Sequence, residues 1–160
     1  MEYCVRMATK DLQENLNWLL LRSSMLAKQR LAKVSEEHGL TPMQAMTLCL
    51  LEPAEPVPMS MISDLLSCDA SNVTGIVERL SVGAYIERRE SSADRRVKTI
   101  TLTPEGVQLR EKILPSVAEH DAPSLKNLTS DEAATLKALL IKTLPEETTL
   151  KYFEGAQAKA

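Results

Sequence analysis

Ser91-Ser92-Ala93-Asp94-Arg95-Arg96 is a polar, partly basic stretch held between two β-prone runs. Before it lies Ala84-Tyr85-Ile86-Glu87-Arg88-Arg89, and after it Val97-Lys98-Thr99-Ile100-Thr101-Leu102. The flanks favour extended backbone and the Ser/Asp tip favours a turn, so together they predict a β-hairpin. Just upstream, Ile62 to Leu80 carries the offsets of two short helices that cross through a tight turn. Ile62, Leu66, Cys68, Val73, Ile76 and Leu80 supply the apolar set, and Ser63 supplies the small contact. Helix, turn, helix and then basic hairpin is the order of a winged helix–turn–helix unit. Ser67 stands where such turns often carry glycine, so either this serine tolerates a strained backbone or the turn differs slightly.

Outward from that unit the chain is helical. Residues 11–38 show two apolar stripes: Leu12, Leu16, Leu19/Leu20, Leu26/Ala27, Leu31 and Val34, and a second of Trp18, Leu21, Met25 and Ala32. Two apolar faces on one helix imply burial from two sides, against its own domain and against a partner subunit. Gly39 then ends it as a C-terminal cap. Thr41-Pro42-Met43-Gln44 combines a capping threonine, a first-turn proline and the glutamine of a capping box, starting a helix that runs to about Glu52. Pro53, Pro56 and Pro58 impose an extended loop. Helices are expected at about Met59–Ser67 and Ala70–Val82, with Gly83 stopping the second. Thr103-Pro104-Glu105 opens another helix, kinked at Pro115, and Thr129-Ser130-Asp131-Glu132 opens a last one with Leu136, Leu139, Leu140 and Leu144 on one side. The expected fold is mainly α with a small β-hairpin wing. A DNA-binding lobe over 40–103 sits between dimerisation helices at 11–38 and 104–145, with a polar, fraying tail at 146–160.

The 160 residues suffice for one such domain with its own core, and 44% apolar composition excludes wholesale disorder. Aromatic residues make up 3%, which argues against single-strand binding by base stacking. Apolar runs such as Trp18–Leu21 are far shorter than the roughly 20 residues of a membrane span. The start Met1-Glu2-Tyr3-Cys4 lacks the charged and apolar regions of a secretion signal, so a soluble cytoplasmic protein with no membrane partner is expected. Net charge is −3, yet residues 70–100 hold six basic and four acidic side chains, a local +2, against −5 for the remainder. Attraction to phosphate follows the local basic face.

With Val73 and Ile76 inward, Ser71, Asn72 and Thr74 face outward near the amino end of the second helix, where a recognition helix meets base edges and phosphates. Ala70 and Gly75 are small enough to let that helix come close to a groove. The candidate DNA-contacting set is Ser71, Asn72, Thr74, Arg79, Arg89, Asp94, Arg95, Arg96 and Lys98.

Three segments resemble the MarR family of bacterial transcription regulators. Asp69-Ala70-Ser71-Asn72-Val73-Thr74-Gly75-Ile76-Val77-Glu78-Arg79-Leu80 is similar to that family's recognition helix, and Gly83-Ala84-Tyr85-Ile86-Glu87-Arg88-Arg89 to its first wing strand. Asp94-Arg95-Arg96 followed by Leu102-Thr103-Pro104-Glu105-Gly106 resembles its wing signature. The resemblance implies a symmetric homodimer, intertwined through the first helix and the last two. It implies a repressor of a pseudo-palindromic operator in double-stranded DNA, with half-sites about one turn (~34 Å) apart. It also implies that Arg96 enters the minor groove, oriented by Asp94. Family members often carry basic residues where this chain has Ala70 and Gly75, which shifts weight onto the wing.

The family often answers to small aromatic or phenolic effectors. Trp18, Arg22 and His38 are the candidate effector pocket, offering an apolar wall and cationic handles, although each has an ordinary structural explanation. Cys4, Cys49 and Cys68 are widely spaced, without a Cys-x-x-Cys or Cys/His cluster, so neither a metal site nor a disulfide framework is expected. Cys49 and Cys68 read as core, and Cys4 as an exposed thiol without a resolving partner. A thiol-based redox-sensing regulator of the same fold is one alternative, and a winged-helix protein-interaction module is another. With only His38 and His120, and no phosphate-binding glycine loop or nucleophile elbow, neither an enzyme nor a cofactor is expected.

Overall fold

The computed structural model describes residue 12 and residues 14–91, 94–118 and 125–144. The long helix α1 spans Leu16–Glu37. The Asn15 side chain accepts the Trp18 amide at 3.0 Å and caps it. It ends at His38, and Gly39 follows at φ +67. The Leu40 amide then returns to the Ser35 carbonyl at 2.9 Å, the closing bond of a glycine C-cap. Helix α2, Pro42–Leu50, has the expected capping box between Thr41 and Gln44. It stops two residues short of Glu52, with Leu51 extended at ψ 129, as the approach to Pro53 favours.

The proline-rich connection does more than loop. Val57–Pro58 forms strand β1, paired antiparallel with the hairpin's second strand through Val57↔Ile100 and Pro58↔Thr99. Proline lacks the amide that an inner strand donates, so it suits this edge position. Helix α3 is Met59–Leu66 and helix α4 is Ala70–Val82. Between them Ser67 takes the left-handed conformation, φ 48 and ψ 47, so the serine tolerates the strained backbone.

Helix α4 ends at Gly83, as expected. Gly83 has φ −73, and the left-handed residue is Ala84 at φ +57. Glycine at 83 is needed for room, since a Cβ there would stand 2.7 Å from the Tyr85 ring. The hairpin follows as β2, Ile86–Glu90, and β3, Lys98–Leu102, in register Ile86↔Leu102 to Glu90↔Lys98. The sheet order is β1-β3-β2. Helix α5, Pro104–Ala118, continues through Pro115. Thr103 ties its start to the wing by accepting the Gly106 amide and donating to the Ala84 carbonyl. Helix α6, Ser130–Thr143, starts at the predicted Thr129–Glu132 capping box.

The core is built where α2, α3, α4, the sheet and α5 meet. Leu48, Leu51, Ile62, Val73, Val77, Leu80, Ile100 and Ile113 are fully enclosed. In α4 the inward positions are Val73, Val77 and Leu80, spaced i, i+4, i+7. Ile76, expected inward, is half-buried, as are Cys49 and Cys68. Leu31 and Val34 near the end of α1 pack on this core, whereas Leu16, Trp18, Leu19, Leu21, Met25 and Leu26 stand exposed. Helix α6 has no buried residue at all.

Candidate nucleic-acid interface

The packing of α4 determines what it shows outward. Once Val73, Val77 and Leu80 are committed to the core, the 100° step between residues leaves Ser71, Asn72, Glu78 and Arg79 exposed. Thr74 is half-buried, and its hydroxyl donates to the Ala70 carbonyl at 2.8 Å. Asp69 precedes the helix without a side-chain capping bond, so its carboxylate is not tied to the helix start. Gly75 is unusual: a Cβ built there meets nothing within 4 Å. Glycine within a helix costs roughly 0.5–1 kcal/mol relative to alanine. Nothing inside the protomer calls for it.

The wing tip is organised by Asp94. Its side-chain oxygen accepts the Arg96 amide at 2.9 Å, and its carbonyl accepts the Val97 amide at 2.9 Å. The Ser91 amide reaches the Val97 carbonyl at 2.9 Å and closes the hairpin beyond the last ladder pair. A carboxylate bonded to the backbone two residues on is the Asx turn. Asp94 therefore orients Arg96 through its main chain, and the side chains of Arg95 and Arg96 project from the two turn positions, both exposed. Among the described residues neither guanidinium has an ion-pair partner. Ser92 and Ala93 lie outside the described residues.

The wing's other cations are engaged. Arg89 donates through Nε at 3.0 Å and Nη2 at 2.6 Å to one Glu87 oxygen, two residues back on the same face of β2. Lys98 Nζ lies 2.7 Å from Glu90, its partner across the ladder. The Arg88 guanidinium points back to Met59 Sδ at 3.7 Å. Arg79 is exposed in the last turn of α4, where a cation complements the helix dipole. Sequence reasoning identified the cations but not these partners. The Glu-Arg-Arg-Glu run from Glu87 to Glu90 was the available signal, and the strand register was needed to interpret it.

The candidate effector residues do not converge within one protomer. Trp18 and Arg22 are one turn apart on α1 and both exposed, whereas His38 caps its far end. At 1.5 Å per residue, His38 lies about 24 Å along the helix axis from Arg22. Burial pushes the Cys49 thiol above its ordinary range, and the nearby Arg110 guanidinium offsets this only in part. That keeps the thiol protonated and slow to react. Arg110 in turn pairs with Glu52 at 2.9 Å. Cys4 and His120 lie outside the described residues. No helix among those residues is long and apolar enough to cross a membrane.

Known proteins share this architecture. A model of the MarR family matches residues 38–97, which covers the helix–turn–helix and most of the wing. The multiple antibiotic resistance protein MarR of Salmonella typhimurium is 34% identical over 107 residues, 66% of this chain and 74% of that protein. A mutant of MarR from E. coli, solved in complex with operator DNA, superimposes with a TM-score of 0.69 at 29% identity, covering 81% of this chain and 94% of that one. MepR of S. aureus, solved as a DNA complex, gives 0.68 at 25% identity, covering 80% and 95%. Wing and recognition helix thus agree in sequence, and the fold agrees over about four-fifths of the chain (82% for MarR from E. coli), so the chain belongs to the MarR family of winged helix–turn–helix transcription regulators.

Proposed function

We propose that the protein is a homodimeric repressor that binds a pseudo-palindromic operator in double-stranded DNA, in the bacterial cytoplasm. The observation that carries this reading is the pair of exposed tip arginines, Arg95 and Arg96, on a turn anchored by Asp94. A narrow minor groove concentrates negative potential and suits such guanidinium groups. Ser71 and Asn72, exposed at the amino end of α4, are then the base- and phosphate-contacting positions in the major groove. Thr74 and Arg79 support the same helix face, and the MarR and MepR complexes with DNA support the binding mode by likeness.

The second protomer is argued from uncovered apolar surface. Leu16 is 68% exposed, Leu139 55% and Leu144 41%, along the helices assigned to dimerisation at 11–38 and 104–145. Large apolar side chains left exposed along these helices support an interface there. In the same reading the lobe at 40–103 is carried by those helices, and a small aromatic or phenolic effector releases the operator. Trp18 with Arg22 is the candidate handle for the effector's apolar and anionic parts.

The test is selection of bound sequences from a random duplex pool. Two inverted half-sites about one turn (~34 Å) apart should emerge, and Arg96→Ala should lose most of the affinity for them. A wild-type chain showing no salt-dependent duplex binding would overturn the reading and favour a protein-interaction wing, which has no need of free tip arginines.

A further inference from the structure

We infer that Glu87 and Glu90 set the DNA specificity of the wing by neutralising Arg89 and Lys98, so that the search for phosphate is left to the tip arginines, with Arg88 turned toward Met59. This rests on the operator-binding reading above. Between Ile86 and Lys98 the chain carries five basic and three acidic side chains, a net of +2. Asp94 is occupied in the tip turn. The other two carboxylates are each committed to one cation: Glu87 to Arg89 along β2, and Glu90 to Lys98 across the ladder.

The two pairs lie on opposite faces of the hairpin. Glu87 and Arg89 fall on the alternate face from Ile86, which points into the core, and Glu90 and Lys98 continue the Ile86 face beyond it. Each flank of the wing thereby has one cation neutralised, and Arg88 is turned toward Met59. The pairs are exposed on both partners, so their worth to folding is small. A stability role does not account for them.

Their effect on binding is of a different kind. Non-specific binding is almost entirely electrostatic and can use whatever cations face the duplex, whereas operator binding is held by base contacts in one docked geometry. Extra free cations on the wing flanks therefore help random DNA more than they help the operator. The carboxylates suppress the competitor.

The experiment compares the full-length wild-type chain with Glu87→Gln, Glu90→Gln and the double variant, on a random duplex and on the selected operator, across a salt titration. Each freed cation that reaches a phosphate steepens the log affinity–log salt slope by about 0.9. Each single variant should bind random duplex roughly threefold more tightly at ~50 mM salt, and the double variant about tenfold, with a smaller gain on the operator. The thermal midpoint should stay near that of the wild type. Unchanged slopes, or weaker binding to random duplex, would overturn the inference and make the carboxylates positioning groups for their cations. If the wild type binds duplex and the variants match it, only this inference falls. If the wild type does not bind duplex at all, the functional reading falls and takes the inference with it.

Discussion

Gly75→Ala should separate stability from DNA binding. Residue 75 sits within α4, five residues from its start, where glycine is costly and a Cβ would meet nothing within 4 Å. Alanine there removes unfolded-state freedom and adds no clash, a gain of roughly 0.5–1 kcal/mol. For a chain of this size that raises the thermal midpoint by about 1–4 °C. The proposed reason for glycine is an external one, the close approach of α4 to a groove. If the added methyl breaks one direct or water-bridged contact per protomer, worth about 1–1.5 kcal/mol, a dimer loses about 2–3 kcal/mol. That is a fall in operator affinity of about 30- to 150-fold. Melting followed by dichroism and a gel-shift titration on one preparation reads both quantities. A more stable variant with wild-type operator affinity would refute the idea that α4 comes close to DNA at this residue. A less stable variant would refute the packing argument.

Ser67→Gly should stabilise the protein by about 1 kcal/mol, because it relieves a non-glycine residue held at φ 48, and should raise the melting temperature by about 2–4 °C. Gly106→Ala should do the reverse, since its Cβ would fall 1.9 Å from the Tyr85 carbonyl oxygen. Parting the start of α5 from the wing should cost about 3 kcal/mol and lower the midpoint by roughly 6–12 °C, and a change under ~2 °C would show that the wing base is softer than its contacts suggest. The Glu132 carboxyl is held below its ordinary range by the Thr129 amide first and the Thr129 hydroxyl second. A depressed folded-state pKa contributes stability that is complete above the unfolded value and disappears as pH falls through the folded one. Melts between about pH 7 and pH 3 should therefore show a flatter acid limb for Glu132→Gln than for the wild type, and parallel limbs would remove the capping carboxylate from the acid response.

Local chemistry made most of the architecture legible. The capping boxes at Thr41–Gln44 and Thr129–Glu132, the prolines that open α2 and α5, and Gly39 beyond α1 all act within a few residues, and each stands where the chain places it. Ser67 was readable, as one of two alternatives, for the same reason: its backbone strain follows from two helices meeting across three residues. The short strand Val57–Pro58 was not, because its partner Ile100 is 43 residues away and two residues carry no alternation. Val77 rather than Ile76 faces inward because the tilt of α4 on α2 and the sheet decides between adjacent apolar residues.

The amino-acid order by itself determined the succession of helices and hairpin, the basic character of the wing and the family likeness, since propensity, capping and turn chemistry are short-range. The tertiary structure decided which of those charges are free. Arg89 and Lys98 are neutralised and Arg95 and Arg96 are not, because β2–β3 register brings carboxylates beside the first two and the Asp94 turn lifts the others clear. Charges count in a sequence one at a time, but phosphate responds to their sum at a surface, and only a folded chain has one.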